Sequence, residues 1–160
     1  MKRIKLSQGK FALIDDEDFE RVSKHKWSVY RKNDRWYAMT VINKKTVLMH
    51  RFILNPKSGQ SVDHRNHNGI DNRKKNTRVC KVWQNNVNRL KKNGTTSKFK
   101  GVCWHKGRKK WAARIKRNDK HTFLGHFTDE VKAAIAYNKA ATKLFGEFAH
   151  LNVIPSRRAS

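Results

Sequence analysis

The sequence predicts an α+β protein: an N-terminal antiparallel β region, then a strand–loop–strand–helix module, then a three-stranded antiparallel sheet packed on one helix. Three observations carry this reading. Residues 1 to 56 hold short apolar or alternating runs separated by polar turns. Between residues 60 and 92 two short apolar runs flank a polar loop and give way to helical spacing. From Phe99 onward three more alternating runs precede a stretch whose apolar residues step by three and four.

In the first region the strands are expected at Phe11 to Ile14, Lys26 to Tyr30, Trp36 to Val41 and Thr46 to Leu54, with turns at Lys32-Asn33-Asp34 and Asn43-Lys44-Lys45. The acidic run from Asp15 to Glu20 holds five of the twelve acids. It reads as the start of a short helix through Val22, where acids suit the positive end of the helix dipole, and not as a metal site. In the second region a short strand ends near Asp63, the polar run Asn66 to Asn76 with Gly69 is a loop, and Thr77 to Cys80 is a second strand. A helix is expected from Lys81 to Lys92, because Trp83, Val87 and Leu90 recur at i, i+4 and i+7.

Asn93 to Ser97, with Gly94 suited to a left-handed cap, reads as a stop and linker. This divides the chain into 1–92 (module core 60–92), a linker 93–97, a second domain 98–153 and a tail 154–160. In the second domain the strands are expected at Phe99 to His105, Lys110 to Arg117 and His121 to Phe127. On the middle strand Trp111, Ala113 and Ile115 share one face, while Lys110, Arg114 and Lys116 share the other. The helix runs from Asp129 to Phe145, with Thr128 as N-cap and Gly146 as stop, and Val131, Ala134, Tyr137, Ala141 and Leu144 form its core stripe.

The chemistry concentrates in the module. Asp63 offers a hard oxygen suited to a divalent cation such as Mg²⁺, and the adjacent His64 carries an imidazole that titrates near about 6.5, close to a useful general base. At helical spacing Asn85 and Arg89 lie opposite the expected apolar face, so Asn85 is positioned to reach back across the loop toward Asp63. Together these residues point to a phosphodiester-cleaving centre. Arg89 is a candidate phosphate clamp or simply added surface charge. His67 reads as solvent-facing, with a substrate or supporting contact as the alternative, and Asp71 as a cap of the loop through backbone hydrogen bonds in preference to a metal ligand. His50 and Arg51 either touch phosphate or serve local packing and charge.

The pattern Asp63-His64, eleven residues, Asn76, eight more and Asn85 resembles the ββα-metal motif of HNH endonucleases, in the variant that ends on Asn. Asp71-Asn72-Arg73, the run Gln84 to Asn88 and Met49-His50-Arg51-Phe52-Ile53-Leu54 are similar to segments of phage and intron-borne members. The resemblance implies that Asp63 and Asn85 bind one divalent metal, probed first as Mg²⁺ with Mn²⁺ as the alternative, that His64 is the general base and that Asn76 orients it. It also implies 5′-phosphate and 3′-hydroxyl ends. Lys100-Gly101-Val102, Trp111 to Ile115, Phe123 to Phe127, Ala136-Tyr137 and Ala149 to Asn152 resemble an APETALA2-type DNA-binding domain. That resemblance implies DNA contacts at Lys100, His105, Arg108, Lys110, Arg114, Lys116, His121 and Phe123. Cys103 stands where plant members carry Arg, and Arg114 where they carry Glu, so the plant target sequence does not transfer. The combination resembles phage homing-type endonucleases, a small backbone-contacting centre joined to a groove reader.

Charge agrees with a polyanionic partner. The formal net charge is +26, and no acid occurs from Asn72 through Asn118, a stretch that interleaves Trp83, Phe99, Trp104 and Trp111. The expected partner is double-stranded DNA. A non-catalytic DNA-binding regulator and an RNA-directed protein are the rival readings. No apolar run approaches the roughly 18 residues that span a bilayer and no signal peptide opens the chain, so the expected location is the cytoplasm, that of the host for a phage protein. Cys80 and Cys103 read as reduced structural thiols. No long heptad pattern occurs, so no obligate protein partner is expected and the chain is taken as a monomer.

Overall fold

A computed structural model describes residues 1–91 and 94–155. The chain forms two compact units, Met1–Asn85 and Asn86–Ser160.

The N-terminal unit opens with a hairpin of β1 (Lys2–Lys5) and β2 (Phe11–Ile14), followed by a 3-10 turn and a short helix α1 (Phe19–Ser23). β1 is an element the sequence reading did not contain. A meander of β3 (Ser28–Lys32), β4 (Arg35–Ile42) and β5 (Lys45–Leu48) follows. Both of its connections are two-residue loops with positive φ at each position, Asn33-Asp34 and Asn43-Lys44, the backbone that matches strand twist and suits Asn and Asp.

Residues expected to extend the last strand to Leu54 instead form a helix, α2 (Met49–Leu54). Its buried residues, Met49, His50 and Ile53, repeat at helical spacing, and Asn55 closes it at φ 41° ahead of Pro56. The run Met49 to Leu54, with His50 and Arg51 inside it, shows neither strict alternation nor a helical repeat long enough to read, so the strand assignment had no support beyond composition. Ile4, Leu6, Ala12, Ile14, Val22, Trp27, Ala38, Met49 and Ile53 make the core, and Trp27 Nε1 donates to Val22 O at 2.8 Å.

The module begins with β6 (Gln60–His64) paired antiparallel to β7 (Thr77–Lys81), and α3 (Val82–Val87) follows directly. The loop between the strands docks on β2: Leu13 N donates to Ile70 O and Asn72 N to Leu13 O, both at 2.8 Å. The expected helix to Lys92 is corrected, since α3 ends at Val87. Three asparagines among Asn85, Asn86 and Asn88 favour side-chain-to-backbone bonding over helix continuation. Trp83 and Leu90 are exposed and only Val87 packs into a core. Lys92 and Asn93, within the expected helix end and linker, lie outside the described residues.

In the C-terminal unit β8 (Val102–His105), β9 (Lys110–Arg117) and β10 (Lys120–Phe127) form a sheet in the order β10-β9-β8. The β9–β10 loop is again a two-residue Asn118-Asp119 turn with positive φ. Helix α4 (Glu130–Phe145) covers one face, packing Ala133, Ala134, Tyr137, Ala141 and Phe145 onto Val102, Ala113 and Ile115. Its N-cap is Asp129, whose side chain accepts from Lys132 N at 2.8 Å, and not Thr128. Part of the expected linker is ordered here: Ser97 Oγ donates to Glu130 at 2.6 Å and Thr96 Oγ1 accepts from Trp104 N. The tail beyond Pro155 lies outside the described residues.

Gly101 holds the sheet onto α4. It has φ +76°, and a Cβ there would meet the Tyr137 ring and stand 2.7 Å from Arg114 O. Gly101→Ala is expected to destabilise the C-terminal unit by about 3 kcal/mol, from left-handed strain plus overpacking. Urea unfolding of the variant beside wild type measures it.

Candidate functional site

The β6–β7 pairing sets Asp63 opposite Arg78 and His64 opposite Thr77. Asp63 Oδ2 accepts from Arg78 Nε at 3.0 Å and Nη2 at 2.8 Å, inside the protein. A carboxylate has about four lone-pair sites, so Arg78 does not exhaust its capacity for a cation. Asn85 lies on α3, and its Nδ2 donates to Ser61 Oγ at 2.8 Å and Val62 O at 3.5 Å, which fixes the amide on the strand that carries Asp63. Carboxylate and amide oxygens are hard donors, and a pair of them matches Mg²⁺, which keeps several waters and takes one or two protein ligands. The donor chemistry at Asp63 and Asn85 therefore fits the implied metal.

His64 is buried, and its Nε2 lies 3.3 Å from Asn72 Oδ1. Asn72 Nδ2 lies 3.3 Å from the Met49 thioether, which only accepts. The Asn72 oxygen is thus turned to His64, Nε2 carries the proton, and Nδ1 is the basic nitrogen. The expected Asn76 contact is corrected on this point: the Asn76 amide donates to Asp71 O at 2.7 Å and accepts from Asn66 N at 3.0 Å, which clamps the loop. Sequence reading missed Asn72 as a partner of His64, although it sits in the Asp71-Asn72-Arg73 segment already singled out.

Asp71 caps the loop as expected, its carboxylate accepting a backbone hydrogen bond from Arg73, and the Arg73 side chain adds to this. Asp71 is buried and takes a bidentate pair of bonds from Arg73, Nε at 2.7 Å and Nη2 at 2.6 Å. The Arg73 bond lowers the Asp71 carboxyl below its ordinary range. His67 takes a positive φ of 64° in the turn and is only half-buried. His50 is 6% exposed, which removes it from the candidate phosphate contacts, while Arg51 stays on the surface and reaches Gln60 O. The His50 ring stands 4.8 Å from the His64 ring at 86°, and Tyr37 stands 6.0 Å from each.

The acidic run folds as expected into a 3-10 turn and α1. Asp15, Glu17 and Asp18 gather closely, but Lys74 Nζ lies 2.6 Å from Glu17, Lys74 N donates to Asp15 Oδ2, and Arg21 pairs with Asp18 at 2.7 Å. Basic side chains answer these carboxylates.

Of the nucleic-acid contacts implied for the C-terminal unit, Arg108, Lys110, Arg114, Lys116, His121 and Phe123 are exposed. Arg114 pairs across strands with Phe123, and Lys116 with His121. His105, Arg108, Arg114, His121 and Phe123, with His126, line a recess of about 420 Å³. His126 was missed by the sequence reading; a bulge between Phe123 and Gly125 shifts the register just before it. Lys116 is paired with Asp119 at 2.8 Å. Lys100 differs from the expectation of a surface contact: its Nζ donates to Val87 O and Arg89 O, both at 2.6 Å, and burial lowers it to about 8. Arg89 lies past the end of α3 and so does not share a helical face with Asn85. Cys80 and Cys103 are both free.

An imidazole, a carboxylate and an amide thus stand on the β6–β7 hairpin and the helix that follows it. No family model matches the chain and no solved structure matches it. A protein of Acanthamoeba polyphaga mimivirus bearing the name uncharacterized HNH endonuclease is 33% identical over 153 residues, covering 92% of this chain and 77% of its own length. The chain belongs to the HNH endonuclease family.

Burial lowers His64 from its ordinary value against the opposing bond to Asn72, and burial lowers His50 to about 3. Folded values below the free imidazole value mean that the unfolded chain binds the extra protons between them. Stability is therefore expected to fall as pH drops below about 6.5, with a His50 share of up to about 1.4 kcal/mol per pH unit that ends near pH 3. Urea midpoints at stepped pH, compared between wild type and His50→Phe, isolate that share.

Proposed function

We propose that the protein is a metal-dependent DNA endonuclease of the homing type, with cleavage at the Asp63–His64 centre and positioning by an APETALA2-type sheet in the C-terminal unit. The observation that carries the reading is the buried His64 whose Nε2 is held by Asn72 on the hairpin that also bears Asp63 and anchors Asn85. Family membership supports nuclease chemistry, and the mimivirus relative is named an endonuclease.

In the proposed step His64 Nδ1 takes a proton from water as the oxygen attacks phosphorus. The P–O3′ bond breaks on the opposite side, and the leaving oxygen is protonated from solvent, which leaves 5′-phosphate and 3′-hydroxyl ends. Asp63 and Asn85 would hold the divalent cation, Mg²⁺ or Mn²⁺, whose charge stabilises the phosphoryl oxygens in the transition state. Asn72 keeps Nε2 protonated and so keeps Nδ1 available. Asn76 closes the loop that carries Asn72. Arg89 is retained as a phosphate contact by charge alone.

For the C-terminal unit, the exposed row Arg108, Lys110, Arg114, Lys116, His121 and Phe123 on the side of the sheet away from α4 supports contact with duplex DNA, with His105 at the recess. Among the described residues no helix is long and apolar enough to cross a membrane. A single centre serves as a nicking monomer or, in a dimer, as a double-strand cutter.

Supercoiled plasmid incubated with the protein and Mg²⁺ is expected to yield open-circular or linear product. His64→Ala should slow this by about 100-fold or more, and a chelator should stop it. Binding without any cleavage over several substrates would favour the regulator reading. Arg114→Ala is expected to cost about 1 to 3 kcal/mol on preferred sequences only, measured by competition binding, if it reads a base edge. Overall affinity should fall with salt at about −0.9 in log–log slope per neutralised phosphate.

A further inference from the structure

On the C-terminal sheet the register brings together residues that strict alternation would separate. Phe123 pairs with Arg114 and His126 with Ala112, two positions on the same face of β9, and the bulge between Phe123 and Gly125 makes this possible. Gly125 stands in the bulge at φ +132°, a backbone that residues with a side chain rarely adopt. Without the bulge His126 would turn with Leu124 toward α4, where Leu124 packs into the core. With it, His126 joins the face that α4 leaves open.

There it completes the recess of about 420 Å³ that His105, Arg108, Arg114, His121 and Phe123 also line. The His126 ring stands 5.1 Å from that of His105 at 83°, and 4.7 Å from that of Phe123. Among the described residues no carboxylate lines the recess. Two guanidiniums and three imidazoles around an apolar ring suit a phosphate ester. A metal ion is disfavoured, because the arginines repel it and the convergent ligand set among the described residues is Asp15, Glu17 and Asp18 in the N-terminal unit. The two close imidazoles differ. His105 Nδ1 accepts from Arg108 N at 3.2 Å, so a proton on that nitrogen would break a bond. His126 Nε2 is buried with no hydrogen-bond partner among the described residues, so a proton there displaces none. Burial, and then the charges of Arg108, His105, Lys110 and Arg114, hold His126 below the ordinary imidazole range. A phosphate in the recess would oppose those charges and favour the protonated ring.

We propose that the recess is a socket for one phosphate of a DNA strand, and that His126 takes up a proton as the phosphate enters. Arg108 and Arg114 supply permanent charge, and Phe123, which is 51% exposed, offers an apolar wall to the adjoining sugar. His105, whose Nδ1 is the acceptor, carries its proton on Nε2 and donates from there. His126 acts by its charge and not by contact through Nε2. The proposal rests on the reading of the C-terminal sheet as a DNA-contact surface. To that reading it adds a residue outside the exposed row and a coupled proton. Affinity for DNA then rises as pH falls below the titration of His126 in the complex, and levels off below its titration in the free protein.

Fluorescence anisotropy of a short labelled DNA duplex, read at constant ionic strength between about pH 8 and 6, tests this in wild type and His126→Gln. Wild type is expected to gain affinity by up to about tenfold per pH unit for the one proton, and folded His126→Gln to lose that share of the gain. The same steepness in folded His126→Gln overturns the proposal. A titration without DNA tests the socket by itself. Inorganic phosphate added to ¹⁵N-histidine-labelled protein is expected to move the ring signals of His105 and His126, with those of His126 moving toward the protonated form, and sodium chloride at equal ionic strength is expected not to. Ring signals that ignore phosphate, or that chloride moves equally, also overturn the proposal. Ring signals that respond to phosphate in a protein that binds no duplex at any pH remove the DNA reading and leave the phosphate socket standing.

Discussion

The N-terminal unit depends on the satisfaction of one fully buried amide. Asn72 is 0% exposed, and a carboxamide in that position is tolerable only when its polar groups find partners. Those partners come from three separate parts of the chain: Leu13 O on β2 takes the backbone N–H, Met49 Sδ at the start of α2 takes Nδ2, and His64 Nε2 on β6 faces Oδ1. The amide thereby ties the opening hairpin, a helix and the module into one arrangement. A strand pair with one short helix buries too little surface to fold alone, and here the same contacts that complete the core also orient the His64 ring.

The loop that carries Asn72 is held from both ends. Asp71 is clamped by Arg73, Asn76 bonds Asp71 O and Asn66 N, and Lys74 reaches back to Asp15 and Glu17. Each of these bonds fixes backbone that would otherwise be free, since a polar run with a glycine has no intrinsic preference for one shape. Two acids of the run near the N-terminus, Asp15 and Glu17, thus serve as counter-charge for the loop.

Elements governed by local rules were readable in the sequence. The turns at Asn33-Asp34, Asn43-Lys44 and Asn118-Asp119 all adopt the positive-φ backbone that their residue types favour, and the stripe of Ala134, Tyr137 and Ala141 packs as its spacing requires. What was not readable depends on tertiary partners. Met49 to Leu54 is six residues long with His50 and Arg51 adjacent inside it, too short for a period to show until a core selects the helical face. Asn72 and Asn76 are chemically the same, four residues apart in one loop, and only the docking onto β2 decides which of them meets His64. His50 stands beside the charged Arg51 in sequence, and only the packing of α2 against the core decides that it is buried while Arg51 stays on the surface.

The acids and bases of the chain are divided by task. Asp18, Asp63 and Asp71 are buried and paired with Arg21, Arg78 and Arg73. Asp129 caps α4 and Glu130 holds Ser97, while Asp34 and Asp119 sit at hairpin turns beside Arg31 and Lys116. With so much of its negative charge engaged in folding contacts, the chain exposes a surplus of Lys and Arg that behaves as one sign to an approaching polyanion. Such a field gathers nucleic acid without selecting sequence. Selection requires groups with defined direction, and on the C-terminal sheet the cross-strand register sets Arg114 opposite Phe123. In the proposed function, charge would account for attraction, sheet register for any discrimination and the buried hairpin for chemistry.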